Sequence, residues 1–235
     1  MNKKRIAVIP ARGGSKRIPL KNIAQINGIP MINYVLNYVE KSKLFDYVIV
    51  STDSIQIENV VKLNSNKVII NGLRDSKLAS DNVPVFKVLK YELEKIKQTL
   101  KLRVDDFDQV WLISATAVLL DSSDLIAAEK EYTQNESKAM LSVTKFPAPI
   151  EWALKIDEKN LLKAENPLQT QMNSQNFHES YFDSGCFAIF SPSIIEKFVD
   201  QVPISEFSAF ILPSHKGIDV DTIEHLNLVS AILKD

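Results

Sequence analysis

Apolar residues along this chain follow two different periods. "RIAVIP" (5–10), "YVIVS" (47–51), "KVII" (67–70) and "QVWLIS" (109–114) are short, almost unbroken apolar runs, the pattern of strands covered on both faces. Between them, "PMINYVLNYVEK" carries Pro30 at its start and Ile32, Val35, Leu36 and Val39 on one helical face, which predicts a helix. Similar spacing predicts helices near Ile55–Leu63 and from about Val83 to Lys101. Alternating strands and helices imply an α/β fold, with a mainly parallel sheet and right-handed crossovers. Such sheets bind ligands at the carboxyl ends of their strands.

From Ser142 the rhythm changes. Pro147 and Pro149 precede an apolar alternation, the polar turn "DEKN" and a further apolar pair, which together predict a hairpin. "KAENPLQTQMNSQNFHES" is polar and aperiodic and reads as a loop or arm. "GCFAIFS" and "SAFILP" read as strands, with a short helix near Ser193–Val199 between them and a closing helix in "TIEHLNLVSAILK". The expected organisation is a core over 1–143, a hairpin and arm over 144–180, and a return to the core over 181–235.

Composition narrows the function. With 235 residues, 45% of them hydrophobic, the chain can bury one substantial core. A net charge of −1 makes any cluster of cations a local feature and argues against a face built for nucleic acid. The single cysteine, Cys186, excludes an internal disulfide framework and sits in an apolar strand as a small core residue. The first apolar run is too short for a signal-peptide core or a membrane span, so a cytoplasmic protein is expected.

Two stretches carry candidate chemistry. The first strand runs into "ARGGSKRIPLKN", with two glycines and the cations Arg12, Lys16, Arg17 and Lys21, a set suited to several phosphate charges. Neither the P-loop spacing nor G-x-G-x-x-G is present, and on composition alone a solvated basic turn is the better explanation of the stretch. In "GIDVDTIEHL", Asp219 and Asp221 face the same way if extended and can share a divalent ion; the alternative is a capping box of Asp221 with Glu224. Asp53, before "SIQIENV", reads as a helix cap. His178, His215 and His225 lack zinc-site spacing.

The whole string "IPARGGSKRIPLKNI" closely resembles the nucleotide-binding signature of the CMP-nonulosonic acid synthetases, the cytidylyltransferases for sialic, pseudaminic and legionaminic acids. The resemblance implies a Rossmann-like nucleotidyltransferase fold, with CTP bound by Ala11, Arg12, Gly13, Gly14, Ser15, Lys16, Arg17, Lys21 and Asn22. "LRDSKLASD" resembles the cytidine-pocket segment, which brings Arg74, Leu78, Ala79, Ser80 and Asp81 to the base and ribose. By the same resemblance, Asp219 and Asp221 hold Mg²⁺ or Mn²⁺ and complete a catalytic set with Arg12 and Lys21, while Ser114, Thr116, Gln175, Tyr181, Asp183 and Phe187 face the sugar. The implied reaction is attack of the sugar's anomeric hydroxyl on the α-phosphorus of CTP, releasing pyrophosphate.

The segment 144–180 resembles the family's dimerisation element and implies a homodimer, with Phe146, Ile150, Trp152 and Leu154 otherwise poorly covered. "SATAVLL", "SVTKFPAPIEWALKID" and "SQNFHESYFDSG" look most like the pseudaminic acid enzymes. N-acylneuraminic and legionaminic acids are the alternative acceptors, and a homologue that binds CTP without turnover is the alternative to an enzyme. The sugar end departs from the family pattern at Ser114, Val118, Asn173, Phe182, Cys186 and Ala188. Asn173 stands where an arginine is usual, so Lys145, Lys155 and Lys216 are candidates for the missing positive charge.

Overall fold

A computed structural model describes residues 4–65, 67–80 and 82–234. Its strands are β1 (Arg5–Pro10), β2 (Gln25–Ile26), β3 (Ile29–Pro30), β4 (Tyr47–Ser51), β5 (Val68–Ile69), β6 (Gln109–Ile113), β7 (Ala139–Lys145), β8 (Leu154–Ile156), β9 (Leu162–Ala164), β10 (Tyr181–Phe190) and β11 (Ser208–Leu212). Its helices are α1 (Met31–Ser42), α2 (Ile55–Asn64), α3 (Val85–Thr99), α4 (Ser122–Gln134), α5 (Pro192–Lys197) and α6 (Ile223–Ile232). Seven strands form one sheet in the order β11-β7-β10-β6-β1-β4-β5. Only β10 breaks the parallel arrangement, running antiparallel to both β6 and β7.

The apolar runs follow from helices on both faces. On β1, Ala7 and Ile9 pack with α1, α2 and α4, while Ile6 and Val8 pack with Phe86, Leu89 and Ile96 of α3 and with Ile194 and Ile195 of α5. Alternate residues therefore enter different cores, and neither set can be polar. Each fully buried isoleucine contributes about 1.5–3 kcal/mol. No helix is long and apolar enough to cross a membrane among the described residues.

Several elements differ from expectation. Helix α4 was not apparent because its buried face is sparse, with only Leu125, Ala128 and Tyr132 buried. Its start is nevertheless encoded: Asp121 accepts the Ser123 and Asp124 backbone N–H groups, and Asp124 accepts that of Asp121, a reciprocal cap. Strand β10 begins at Tyr181, before the apolar "GCFAIFS"; its first half, exposed except at Ser184, pairs with the end of β7. Its register with β7 shifts between Asp183 and Ala188, where Gly185 has φ +67°. The hairpin β8–β9 forms as expected, with Asp157 accepting the backbone N–H groups of Lys159 and Leu161 at its turn.

Candidate active site

The loop after β1 is fastened from below. Ala11 is fully buried, and its N–H donates to the Ser51 carbonyl at 2.8 Å, extending the β1–β4 pairing. The Gly13 N–H donates to Asp53 Oδ1 at 2.8 Å, and a Cβ on Gly13 would lie 2.9 Å from Ser54 Cβ. Gly13 is therefore needed for contact with the protein's own α2 terminus, and its amide is committed to Asp53. Asp53 is not the helix cap: Ser54 occupies that position and accepts from the Ile57 N–H. Asp53 turns to the loop because an unpaired amide beside it would otherwise be left unsatisfied. Asn22 Nδ2 donates to the Arg12 carbonyl at 2.8 Å, closing the loop from its far end. Gly14 has open space where a side chain would begin.

Above this loop lies a cavity of about 590 Å³ lined by Arg12, Ser15, Lys16, Arg17, Lys21 and Asn22 on one side and by Asp219 and Asp221 on another. Asp221 bridges the two sides, with Lys21 Nζ at 2.8 Å from Oδ1 and Arg17 at 2.8 Å from Oδ2. Burial would raise the Asp221 carboxyl, but hydrogen bonds and charge from Lys21 and Arg17 outweigh it and the pKa is lowered. Asp221 is not a helix cap either, since Thr222 caps α6 by accepting the His225 N–H. Asp219 Oδ1 accepts from Thr116 Oγ1 at 2.5 Å, and Thr116 Oγ1 lies 2.6 Å from Ser114 Oγ. Gly185, in its left-handed conformation, brings its backbone against Asp219; a Cβ there would lie 3.7 Å from Asp219 Oδ2.

Arg74, Leu78 and Ser80 line the same cavity. Ala79 contributes its carbonyl, which accepts from Arg12 Nη1 at 3.4 Å, whereas Asp81 lies outside the described residues. Arg74 is buried and its backbone N–H donates to the Thr52 carbonyl at 2.7 Å. Its guanidinium donates to Ser51 Oγ at 3.4 Å and reaches Asp53 at 4.0 Å. Burial lowers its pKa, opposed by the charges of Asp53 and Glu92, and it remains a cation. Glu92 was not singled out from the sequence. The available signal was a carboxylate on the apolar stripe of α3, between Leu89 and Leu93.

A second cavity, about 430 Å³, shares Pro10, Val85 and Ser114 with the first. It is an apolar chamber of Phe86, Leu141, Ala188, Phe190 and Phe207, with Asp183 and Phe187 also on its wall. Ser114, Thr116, Asp183 and Phe187 thus gather at or beside the two cavities. Gln175 instead lines a separate cavity against Phe146 and Pro147. Tyr181 is exposed and donates its hydroxyl to Glu179. The three candidate lysines are already engaged: Lys145 pairs with Glu179, Lys155 with Glu165, and Lys216 with Asp121 and Asp124 at 2.7 and 2.6 Å. The first two pairs are solvent-exposed and weakly held, whereas the Lys216 side chain is largely covered.

The carboxylate pair suits a hard divalent ion. Mg²⁺ is held by one or two carboxylates, with water and substrate phosphates completing an oxygen shell, and Asp219 and Asp221 supply two oxygen donors on one cavity wall. No group of three or more metal-binding side chains occurs among the described residues, so a complete shell requires oxygens from elsewhere.

The cytidylyltransferase family profile matches residues 6–183, which spans the basic loop, Arg74 and Ser114. The chain belongs to the cytidylyltransferase family. It is therefore a member of a nucleotidyltransferase enzyme family. A pseudaminic acid cytidylyltransferase of Campylobacter jejuni is 32% identical over 231 residues, covering 98% of this chain and 97% of that protein. A CMP-N,N'-diacetyllegionaminic acid synthase of Legionella pneumophila is 32% identical over 162 residues, 68% of this chain and 66% of that protein. The structure of a CMP:2-keto-3-deoxy-manno-octonic acid synthetase complexed with CTP superposes with a TM-score of 0.70 at 16% identity, covering 99% of both chains. That likeness establishes the α/β nucleotidyltransferase fold of this family member.

Proposed function

We propose that this cytidylyltransferase transfers the cytidylyl group of CTP to the anomeric hydroxyl of a nonulosonic acid, with pseudaminic acid or a close relative as acceptor. The observation that carries the reading is the pairing of two neighbouring cavities: one rimmed by Arg12, Lys16, Arg17, Lys21 and the Asp219–Asp221 pair, the other apolar and sharing Pro10, Val85 and Ser114 with the first. The near full-length similarity to a pseudaminic acid cytidylyltransferase supports the choice of acceptor. So does the chamber, whose Phe86, Leu141, Ala188 and Phe190 suit deoxygenated carbons and acyl methyls better than a polyhydroxylated chain.

In this reading the basic loop holds the triphosphate and Arg74, Leu78 and Ser80 face the base and ribose. The sugar oxygen forms a bond to the α-phosphorus, the bond from that phosphorus to the bridging oxygen breaks, and pyrophosphate leaves while the hydroxyl proton passes to water. Lys21 and Arg17 stand where they can leave Asp221 for phosphate oxygens, offsetting charge on the departing group. Asp219 and Asp221 would hold Mg²⁺ or Mn²⁺, which supplies charge neutralisation at the triphosphate. Thr116 and, through it, Ser114 keep Asp219 oriented. The work is positioning and electrostatics, and no covalent enzyme intermediate is required.

The segment 144–180 is read as a dimerisation element. Leu154, Ile156 and Leu162 of the β8–β9 hairpin and Leu168 of the arm are each exposed, more apolar surface than a small protrusion ordinarily leaves in water. A second copy of the chain would cover it. The acceptor is tested by incubating the protein with CTP, Mg²⁺ and equimolar pseudaminic, legionaminic and N-acetylneuraminic acids and weighing the CMP-sugar formed. CMP-pseudaminic acid as the main product is expected; preference for another acid would reassign the acceptor, and CTP binding without any product would favour a homologue lacking turnover.

A further inference from the structure

Arg74 places a cation under the floor of the nucleotide cavity, and its surroundings explain how it is held. Ser51, at the end of β4, is buried and sits between two charged groups: its Oγ donates to Glu92 Oε1 at 2.6 Å and accepts from Arg74 Nη1 at 3.4 Å. Glu92 is 1% exposed. The second Glu92 oxygen, Oε2, and Arg74 Nε are buried without a hydrogen-bond partner. A buried carboxylate at that depth is costly unless it compensates a charge: burial raises the Glu92 pKa, and the Ser51 hydrogen bond and the charges of Lys95 and Arg74 oppose that rise. Helix α3 presents both features, since Val85 and Val88 line the cavity and Glu92 follows Val88 by one turn on the same face.

We infer that Glu92 is a positioning residue for nucleotide recognition, acting through Ser51 to hold the Arg74 guanidinium at the cavity floor. This rests on the reading of the cavity as the CTP site. Glu92 neutralises the buried cation from behind, and the Ser51 hydroxyl, which has one proton to give, is fixed with that proton toward Glu92 and a lone pair toward Arg74. The guanidinium keeps an unspent donor, Nε, beside the cavity that Arg74 lines. Its effect is expected chiefly at the base and ribose end, although Arg74 also meets the triphosphate loop through Asp53, which lies 4.0 Å away and accepts the Gly13 N–H.

The test compares Glu92→Gln, Ser51→Ala and the double variant. CTP affinity is measured by calorimetric titration, affinity for inorganic tripolyphosphate by competition, and melting temperature in parallel. The near-isosteric Glu92→Gln is expected to raise the Kd for CTP about tenfold, with tripolyphosphate affinity unchanged and kcat at saturating CTP within about twofold. The double variant is expected to be no worse than the worse single variant, because both act along one path. Equal CTP affinity in Glu92→Gln and wild type, equal losses for CTP and tripolyphosphate, or additive losses in the double variant would each overturn the inference. Should Glu92→Gln fail to fold, Ser51→Ala alone decides by the same CTP-against-tripolyphosphate contrast. Wild-type protein that does not bind CTP would instead overturn the cavity reading itself, and the inference with it.

Discussion

Lys21 Nζ and Asp221 Oδ1 lie 2.8 Å apart although 200 residues separate them in the chain. This contact closes the basic loop onto the carboxylate pair. On the proposed function it also sets a competition, because a triphosphate entering the cavity would offer Lys21 and Arg17 stronger anionic partners and free Asp221 to meet a metal ion.

Lys21→Ala should therefore impair CTP use while leaving the fold intact. One lost charge-assisted contact costs about 1.5–3 kcal/mol, or roughly 10- to 150-fold in kcat/KM for CTP. Arg12→Ala should behave alike. Steady-state kinetics with a melting curve check this, and unchanged kinetics in both variants would remove the loop from the mechanism.

Activity should require Mg²⁺ or Mn²⁺, vanish with EDTA and return on adding metal. Asp219→Asn should raise the metal concentration needed for half-maximal rate while changing shape little. Metal titrations of the initial rate test this; an unaltered titration would leave Asp219 without a metal role.

Lys216 ties the strand-end loop carrying Asp219 to the start of α4 through Asp121 and Asp124. Hydrogen bonds from Lys216 and Ser123 hold the Asp121 carboxyl below its usual 3.8, and the two carboxylates outweigh burial and raise Lys216 above 10.5. A lowered carboxyl stabilises above its unfolded pKa and loses that stability as pH falls through the folded one. A raised lysine stabilises below its unfolded pKa and loses the effect as pH rises through the folded one. The cluster therefore contributes fully between about pH 4 and pH 10. Lys216→Met should lower the melting temperature by about 2–4 °C at pH 7, the effect of roughly 1 kcal/mol, and the difference should shrink in acid below pH 4.

Gly13→Ala would press a methyl group to 2.9 Å from Ser54 Cβ. Overpacking of this kind costs about 1–3 kcal/mol. Adding Ser54→Gly should recover most of it, since glycine at a helix N-cap costs only about a few tenths of a kcal/mol. Denaturant melts of the three variants measure this, and no recovery in the double variant would place the cost elsewhere.

If the exposed hairpin is an interface between copies, Leu154→Glu with Leu162→Glu should convert a dimer to a monomer in light scattering at micromolar concentration. A wild-type monomer under those conditions would set the dimer aside.

Much of the fold was legible in local sequence because local physics determines it. β1, β4 and β6 are apolar on both faces and had to be interior strands, and α1 shows its stripe and its Pro30 start without help from the rest of the chain. The basic loop was likewise legible as a set of charges in one short segment. The sparse face of α4 and the mixed first half of β10 carry no strong period, so neighbouring strands and helices decided them. The same holds for the roles of single carboxylates. Asp53 and Asp221 stand where caps are usual, yet Ser54 and Thr222 do the capping, and the two aspartates turn to Gly13 and to Lys21 with Arg17. Lys216 is drawn to Asp121 and Asp124, and Glu92 to Ser51. A side chain's charge is a property of the residue, but its partner is whichever opposite group the tertiary structure brings within hydrogen-bond reach, and that distance is not written in any local stretch of sequence.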